Sequence, residues 1–139
     1  MGMILLILSL GLAVIGLTYG IYEIWPLKQF VDSVSSIDSE EDLLHFKEFV
    51  RRNMYAGLVM IGFIIVAVAI LGFGFFRQVL SGYEILFWLA VVGPTYTGCG
   101  LWAKSIERRA RSIPVSNAEL KGEFDRVVRT WQKKPLPDW

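Results

Sequence analysis

With one histidine and one cysteine in 139 residues, the chain offers few starting points for nitrogen or sulfur chemistry. A haem held at membrane depth needs axial His, Met or Cys side chains, and zinc or an iron–sulfur cluster needs several ligands at close spacing. His45 follows the acidic run Glu40-Glu41-Asp42 with no second His or Cys beside it. Cys99 lies in an apolar stretch, where a single cysteine packs as a small hydrophobe and can form no internal disulfide. Met54 and Met60 read as packing residues. No metal, cofactor or catalytic constellation is expected. Ion or proton transfer would call for ionisable groups within apolar segments, because such groups are costly there and are kept for function. Glu23, Arg77 and Glu84 fall only at segment ends. Arg77 and Glu84 could pair as a solvated ion pair contributing little.

Two patterns stand out. Ser9, Ala13, Gly16 and Gly20 recur at i, i+4, i+7 and i+11, and Gly16 to Gly20 is a literal G-x-x-x-G. Small residues on one face let a second helix approach closely, which is how helices gain van der Waals contact where lipid removes the hydrophobic drive. The stripe is expected to pack either on the chain's other helices or on another chain. The second pattern is Gly93-Pro94-Thr95-Tyr96-Thr97-Gly98-Cys99-Gly100. Pro94 removes a backbone hydrogen bond, the glycines allow a kink, and the hydroxyls of Thr95, Tyr96 and Thr97 can satisfy freed carbonyls. It reads first as a kinked, packed helix and second as the wall of a small site for a lipid, quinone or pigment tail.

The elements that must position these residues are set by hydropathy. The chain is 54% hydrophobic and 19% charged, too apolar for a soluble domain, in which charged residues approach about 25%. Three blocks hold most of the apolar residues: 3–22, 54–76 and 85–103. Crossing a hydrocarbon core of about 30 Å at a rise of about 1.5 Å per residue takes roughly 20 apolar residues, and each block has about that length. Backbone groups in hydrocarbon must bond to one another, so all three are predicted as helices. The first block is read as a true span and not as a cleaved signal peptide. No Lys or Arg precedes Lys28, and the block closes on Tyr19, Tyr22 and Trp25, which suit an interfacial aromatic belt. The predicted fold is an all-α membrane protein. Its parts are a first transmembrane helix in 1–25, an amphipathic loop in 26–53, a transmembrane hairpin in 54–103, and a basic tail with an amphipathic helix in 104–139.

Charge sets the expected orientation. Lys28, Lys47, Arg51 and Arg52 lie between spans one and two, Arg77 alone lies between two and three, and nine Lys and Arg follow span three. The positive-inside rule then places the loop and tail in the cytoplasm and the N-terminus outside, with a bacterial inner membrane as the expected location. A net charge of only +1 provides no field to gather nucleic acid.

The long loop carries two helical patterns. Leu27, Phe30, Val31 and Val34 follow Pro26 at i, i+3, i+4 and i+7, as in a short amphipathic helix lying on the membrane surface. After a break in 33–36, Ser39 is expected to cap a second helix that presents Leu43, Phe46, Phe49 and Val50 and runs unbroken into span two. Beyond span three, the basic run 104–111 should prolong the helix until Pro114 stops it. Ser116 and Glu119 then fit a capping box for a helix with Leu120, Phe124, Val127, Val128 and Trp131 on one face. That face should pack on the loop helices or on a partner subunit.

These features predict a non-catalytic accessory or scaffold subunit of a larger membrane assembly. Its partners would be membrane lipid and other membrane subunits, or further copies of itself. The expected contact residues are Ser9, Ala13, Gly16 and Gly20 in the membrane, with Phe124, Val128 and Trp131 outside it. One alternative rests on gross topology: three spans, an outside N-terminus, a tight outer hairpin and a basic cytoplasmic tail resemble the layout of three-span phage holins. That resemblance implies oligomeric pore formation, although the long structured loop departs from a minimal holin. Another alternative is a small lipid- or quinone-binding protein using Pro94, Thr95, Tyr96 and Thr97.

Overall fold

The computed structural model describes residues 1–139 and is all-helical. Helix α1 runs Gly2–Ser33, α2 Glu40–Phe76, α3 Gly82–Arg111 and α4 Ala118–Lys133. The first three are long and apolar enough to cross a membrane. At about 1.5 Å per residue these helices of 32, 37 and 30 residues exceed the roughly 30 Å hydrocarbon core by about ten residues or more each. The connection from α2 to α3 is short, so the excess gathers at the opposite end. There it meets α4 and forms a packed head.

The head has a core of the soluble kind, centred on Leu27, Phe30, Leu43, Phe46, Val50, Ile106, Phe124, Val127 and Trp131. Phe46 sits at its middle, with ring centroids 4.9 Å from Phe124, 6.3 Å from Phe30 and 6.4 Å from Trp131. Ion pairs stitch its rim. Arg52 donates to Glu23 at 2.8 Å and Arg109 to Asp32 at 2.9 Å, while Lys47 on α2 pairs with Glu123 on α4. The Arg111 guanidinium lies 5.9 Å from the Trp131 ring centroid.

Several local expectations hold and others are corrected. Ser39 caps α2 in a reciprocal box with Asp42, and α2 passes from head to span without a break. The stripe Leu27, Phe30, Val31 and Val34 is real, but no separate surface helix carries it. Residue Pro26 lies inside α1, and the helix continues because Leu27 and Phe30 are buried in the head, offsetting the one backbone bond that proline removes. The amphipathic loop helices are thus the ends of α1 and α2, and they face protein. Helix α4 is capped by Asn117, whose side chain accepts from the Glu119 amide, and not by Ser116. The Ser116 amide instead donates to Ile37 at 3.2 Å, while Ile37 donates to Pro114 at 2.9 Å. This two-residue parallel bridge ties the α1–α2 loop to the α3–α4 loop and buries Ile37.

At the far end Arg77 and Glu84 do not pair. Glu84 accepts from the Ser81 amide and hydroxyl as an N-terminal box for α3, and Arg77 lies over the Phe73 ring at 5.5 Å. Satisfying orphan helix donors is a stronger use of that carboxylate than an exposed ion pair.

Four carboxylates on the head have lowered pKa values. Lys28, with Arg109, holds Asp32 down, hydroxyls of Ser116 and Ser36 hold Asp38 down, Lys47 holds Glu123 down, and Lys134 holds Asp138 down, while burial pushes Glu107 up. A depressed folded-state pKa contributes stability above the ordinary value, and that contribution is lost as pH falls through the depressed one. The head should therefore hold or slightly raise its thermal midpoint as pH falls from neutrality toward the ordinary Glu value of 4.5, where the half-buried Glu107 takes up its proton, and lose stability below the ordinary values of 4.5 for Glu and 3.8 for Asp. Tryptophan emission followed against temperature at stepped pH checks this, and a loss already complete at about pH 6 would contradict it.

Candidate functional site

Within the spans the small-residue stripe becomes a seam. Ser9, Ala13, Gly16 and Gly20 are all buried, facing the chain's own helices. A Cβ on Gly16 would stand 2.8 Å from Phe63 Cβ and 2.9 Å from the Tyr96 hydroxyl, and one on Gly20 would overlap the Met60 sulfur. Glycine is needed at Gly16 because the α2 backbone at Phe63 and the Tyr96 side chain of α3 approach α1 there, whereas at Gly20 the space is taken by the flexible Met60 side chain. The stripe packs on the chain's own helices, one of the two arrangements expected for it. On α4, Phe124 and Trp131 are buried in the head core and Val128 packs against it, so this face meets the loop-end helices, again one of the two arrangements expected.

The Pro94 stretch divides in two. Pro94 and Thr97 are exposed on the outer face of α3, which continues through the proline, and Thr95 is exposed at the edge of the groove between α1 and α3. The Thr95 hydroxyl donates to Val91 at 2.7 Å and that of Thr97 to Gly93 at 2.8 Å. The carbonyl deprived of a partner by Pro94 is that of Ala90, so neither hydroxyl replaces the lost bond. Tyr96 turns inward, and its hydroxyl donates to the Ala13 carbonyl at 2.6 Å across the α1–α3 seam. The four residues thus do not converge on one site. Tyr96→Phe should lower stability in mild detergent by about 0.6 to 1.7 kcal/mol, the span of interhelical hydrogen bonds in membranes. Denaturant titration of the purified variant measures it, and no change would mean that the bond is replaced on mutation.

The three spans are not equally engaged. Helix α2 packs along much of α1 and α3 along less of it, while the backbones of α2 and α3 stay farther apart and their side chains share the two cores. Only 11% of the most apolar window of α3 is buried within the chain, against 22% for α1 and 17% for α2. Two open surfaces result. One is the outer face of α3, where Ala90, Pro94, Thr97, Gly98 and Leu101 fall at i, i+4, i+7, i+8 and i+11, all exposed. The other is a cleft of about 220 Å³ just below the head, between α2 and α3 with α1 as its floor. Ala56 and Gly57 form one wall, Cys99 and Gly100 the other, and Asn53 and Trp102 line it as well.

No group of three or more His, Cys, Asp or Glu side chains is placed to hold a metal ion. His45 is exposed on the head, its ring stacked on Phe49 at 6.2 Å and its Nε2 3.8 Å from Glu41. Trp139 at the C-terminus packs half-buried against the head core, with Asp138 bound to Thr130 and Lys134. Sequence reasoning missed the Ile37–Val115 bridge. Its signal was lone apolar residues in polar surroundings, Ile37 between Ser36 and Asp38, and Val115 after Pro114. Comparison with protein-family models, curated proteins and solved structures found no significant match.

Proposed function

We propose that this membrane-embedded chain is a non-catalytic accessory or scaffold subunit that holds a partner's transmembrane helix against the outer face of α3. The supporting observation is the low burial of α3 within the chain together with the character of its open face. Both spans expose bulky side chains, Leu58, Ile61, Ile65 and Phe73 on α2 and Leu86, Phe87, Leu89 and Leu101 on α3, but α3 also presents Ala90, Pro94, Thr97 and Gly98 as a stripe of small residues. Bulky aliphatic and aromatic side chains suit lipid, whereas small and hydroxyl side chains give lipid little and let another helix approach closely. The head, cross-tied to the spans through α1, α2 and α3, would hold that face at a fixed angle. The basic end faces the cytoplasm in this reading, by the charge asymmetry of the loops.

The holin-like alternative is less well supported. The small-residue stripe on α1 that could have mediated oligomer contacts is already occupied by Phe63, Met60 and Tyr96.

Paired substitution Thr97→Leu with Gly98→Leu tests the proposal. No atom lies within 4 Å of a Cβ built on Gly98, so the bulk projects outward and leaves the fold intact. The variant should lose stoichiometric co-migration with its partner subunit after mild extraction, while Gly62→Leu on the exposed side of α2 should keep it. Equal co-migration of both variants would remove the α3 face from the account.

A further inference from the structure

We infer that the groove on α1 below the head, where Tyr22, Trp25 and Pro26 meet Arg52 of α2, binds one zwitterionic phospholipid of the phosphatidylethanolamine class, its phosphate on Arg52 and its ammonium on the Tyr22 carbonyl. The groove has a volume of about 420 Å³ and is completed by Thr18 and Ile21. It straddles the level at which the apolar block of α1 ends, at Tyr22, and that of α2 begins, at Met54. In a bilayer that is the depth of the glycerol esters and headgroups, where tryptophan and tyrosine keep one end in hydrocarbon and the other in water. Thr18 and Ile21 lie on the hydrocarbon side of Tyr22 and leave room for acyl chains, while Pro26 and Arg52 lie on the headgroup side.

Arg52 supplies the phosphate contact. Its Nε donates to Glu23 at 2.8 Å, and its two terminal nitrogens have no protein partner, so both can donate to a phosphodiester. The ammonium contact comes from the backbone. Pro26 has no N–H to give, so the carbonyl four residues earlier, that of Tyr22, loses its helical donor. No side chain replaces it. An unpaired carbonyl at the edge of hydrocarbon is costly, and an ammonium N–H satisfies it. Charge selects the same headgroup. Arg52 and Glu23 form a neutral pair, and the Glu23 side chain is only 13% exposed. A zwitterion leaves that pair balanced, whereas a lipid of net negative charge would add an uncompensated charge beside the carboxylate. A choline headgroup has no N–H for the Tyr22 carbonyl, and the Trp25 ring that could attract it already lies under the Lys28 ammonium, 5.4 Å from the centroid. The inference is independent of the partner-helix reading, which uses the outer face of α3.

The test is native mass spectrometry of the full chain, released from micelles that hold equal amounts of phosphatidylethanolamine, phosphatidylcholine and phosphatidylglycerol with the same acyl chains. The expected result is one retained phosphatidylethanolamine per chain, preferred over each of the others by roughly tenfold, the discrimination that one charge-assisted hydrogen bond provides. Arg52→Gln should weaken retention of all three lipids, while the Gln amide can still donate to Glu23. Pro26→Ala restores the missing N–H and lets the helix close on the Tyr22 carbonyl, so phosphatidylethanolamine and phosphatidylcholine should come within about twofold of each other. That substitution adds a helical hydrogen bond, and its outcome does not depend on how the Arg52 variant folds. Equal retention of the three lipids, no retained lipid, a preference for phosphatidylglycerol, or a phosphatidylethanolamine preference undiminished by Pro26→Ala would each overturn the proposal.

Discussion

Gly16→Leu is expected to separate α1 from both of its neighbours and to lower the stability of the spans by about 2 to 4 kcal/mol. The clash is with the Phe63 Cβ, which is tied to the α2 backbone and cannot swing aside as the end of a long side chain can. The same Cβ would stand 2.9 Å from the Tyr96 hydroxyl, so relief of the clash also removes the hydrogen bond to Ala13. Helix α1 is the element on which α2 and α3 both pack, so its displacement loosens the whole bundle. Gly11→Leu supplies the contrast. No atom lies within 4 Å of its Cβ position, and its effect should stay within about 0.5 kcal/mol. Unfolding of both variants in mixed micelles, followed by tryptophan emission, separates the two. Equal stability would mean that the seam is not closely packed.

Phe46→Ala is expected to be the most damaging change outside the membrane, at about 3 to 5 kcal/mol. Phe46 is fully buried, and its ring bridges α1 through Phe30 and α4 through Phe124 and Trp131. The cavity left behind would be enclosed on several sides, so little collapse can offset it. Helix α4 makes its main contact with α2, and should therefore detach. Hydrogen exchange would then show α4 amides losing protection while amides in the middle of α2 keep theirs, since the latter depend on the bilayer and on α1. Retained protection of α4 would show that Trp131 and Val127 hold it without Phe46. Leu44→Ala, one helical position beyond Leu43 and exposed, should change little.

The spans were legible in the sequence because hydrocarbon imposes a length and a composition that few other constraints imitate. The cap at Ser39 and the stripe Leu43, Phe46 and Val50 were legible for a similar reason, as local chemistry and helical period each specify one answer. What covers a stripe was not legible. Leu27 and Phe30 repeat as they would on a membrane surface, and only the folded chain puts Phe46 and Ile106 against them. The Ser9 to Gly20 stripe had the same ambiguity, because close approach by a helix of this chain and by a foreign helix requires the same small residues. Pairing between Ile37 and Pro114 joins loops far apart in sequence, and no local pattern encodes it. The cleft was invisible for another reason. It arises from α2 and α3 both preferring α1, a relation among three helices and not a property of one.

Gentle extraction of the full chain from its native membrane, followed by size separation and mass spectrometry of the co-migrating material, tests the accessory-subunit account most directly. The account predicts one or more other membrane proteins at fixed stoichiometry with this chain, and their loss from the Thr97→Leu, Gly98→Leu variant. Migration of the wild-type chain as a monomer or a self-oligomer, with no other protein in fixed ratio, would contradict it.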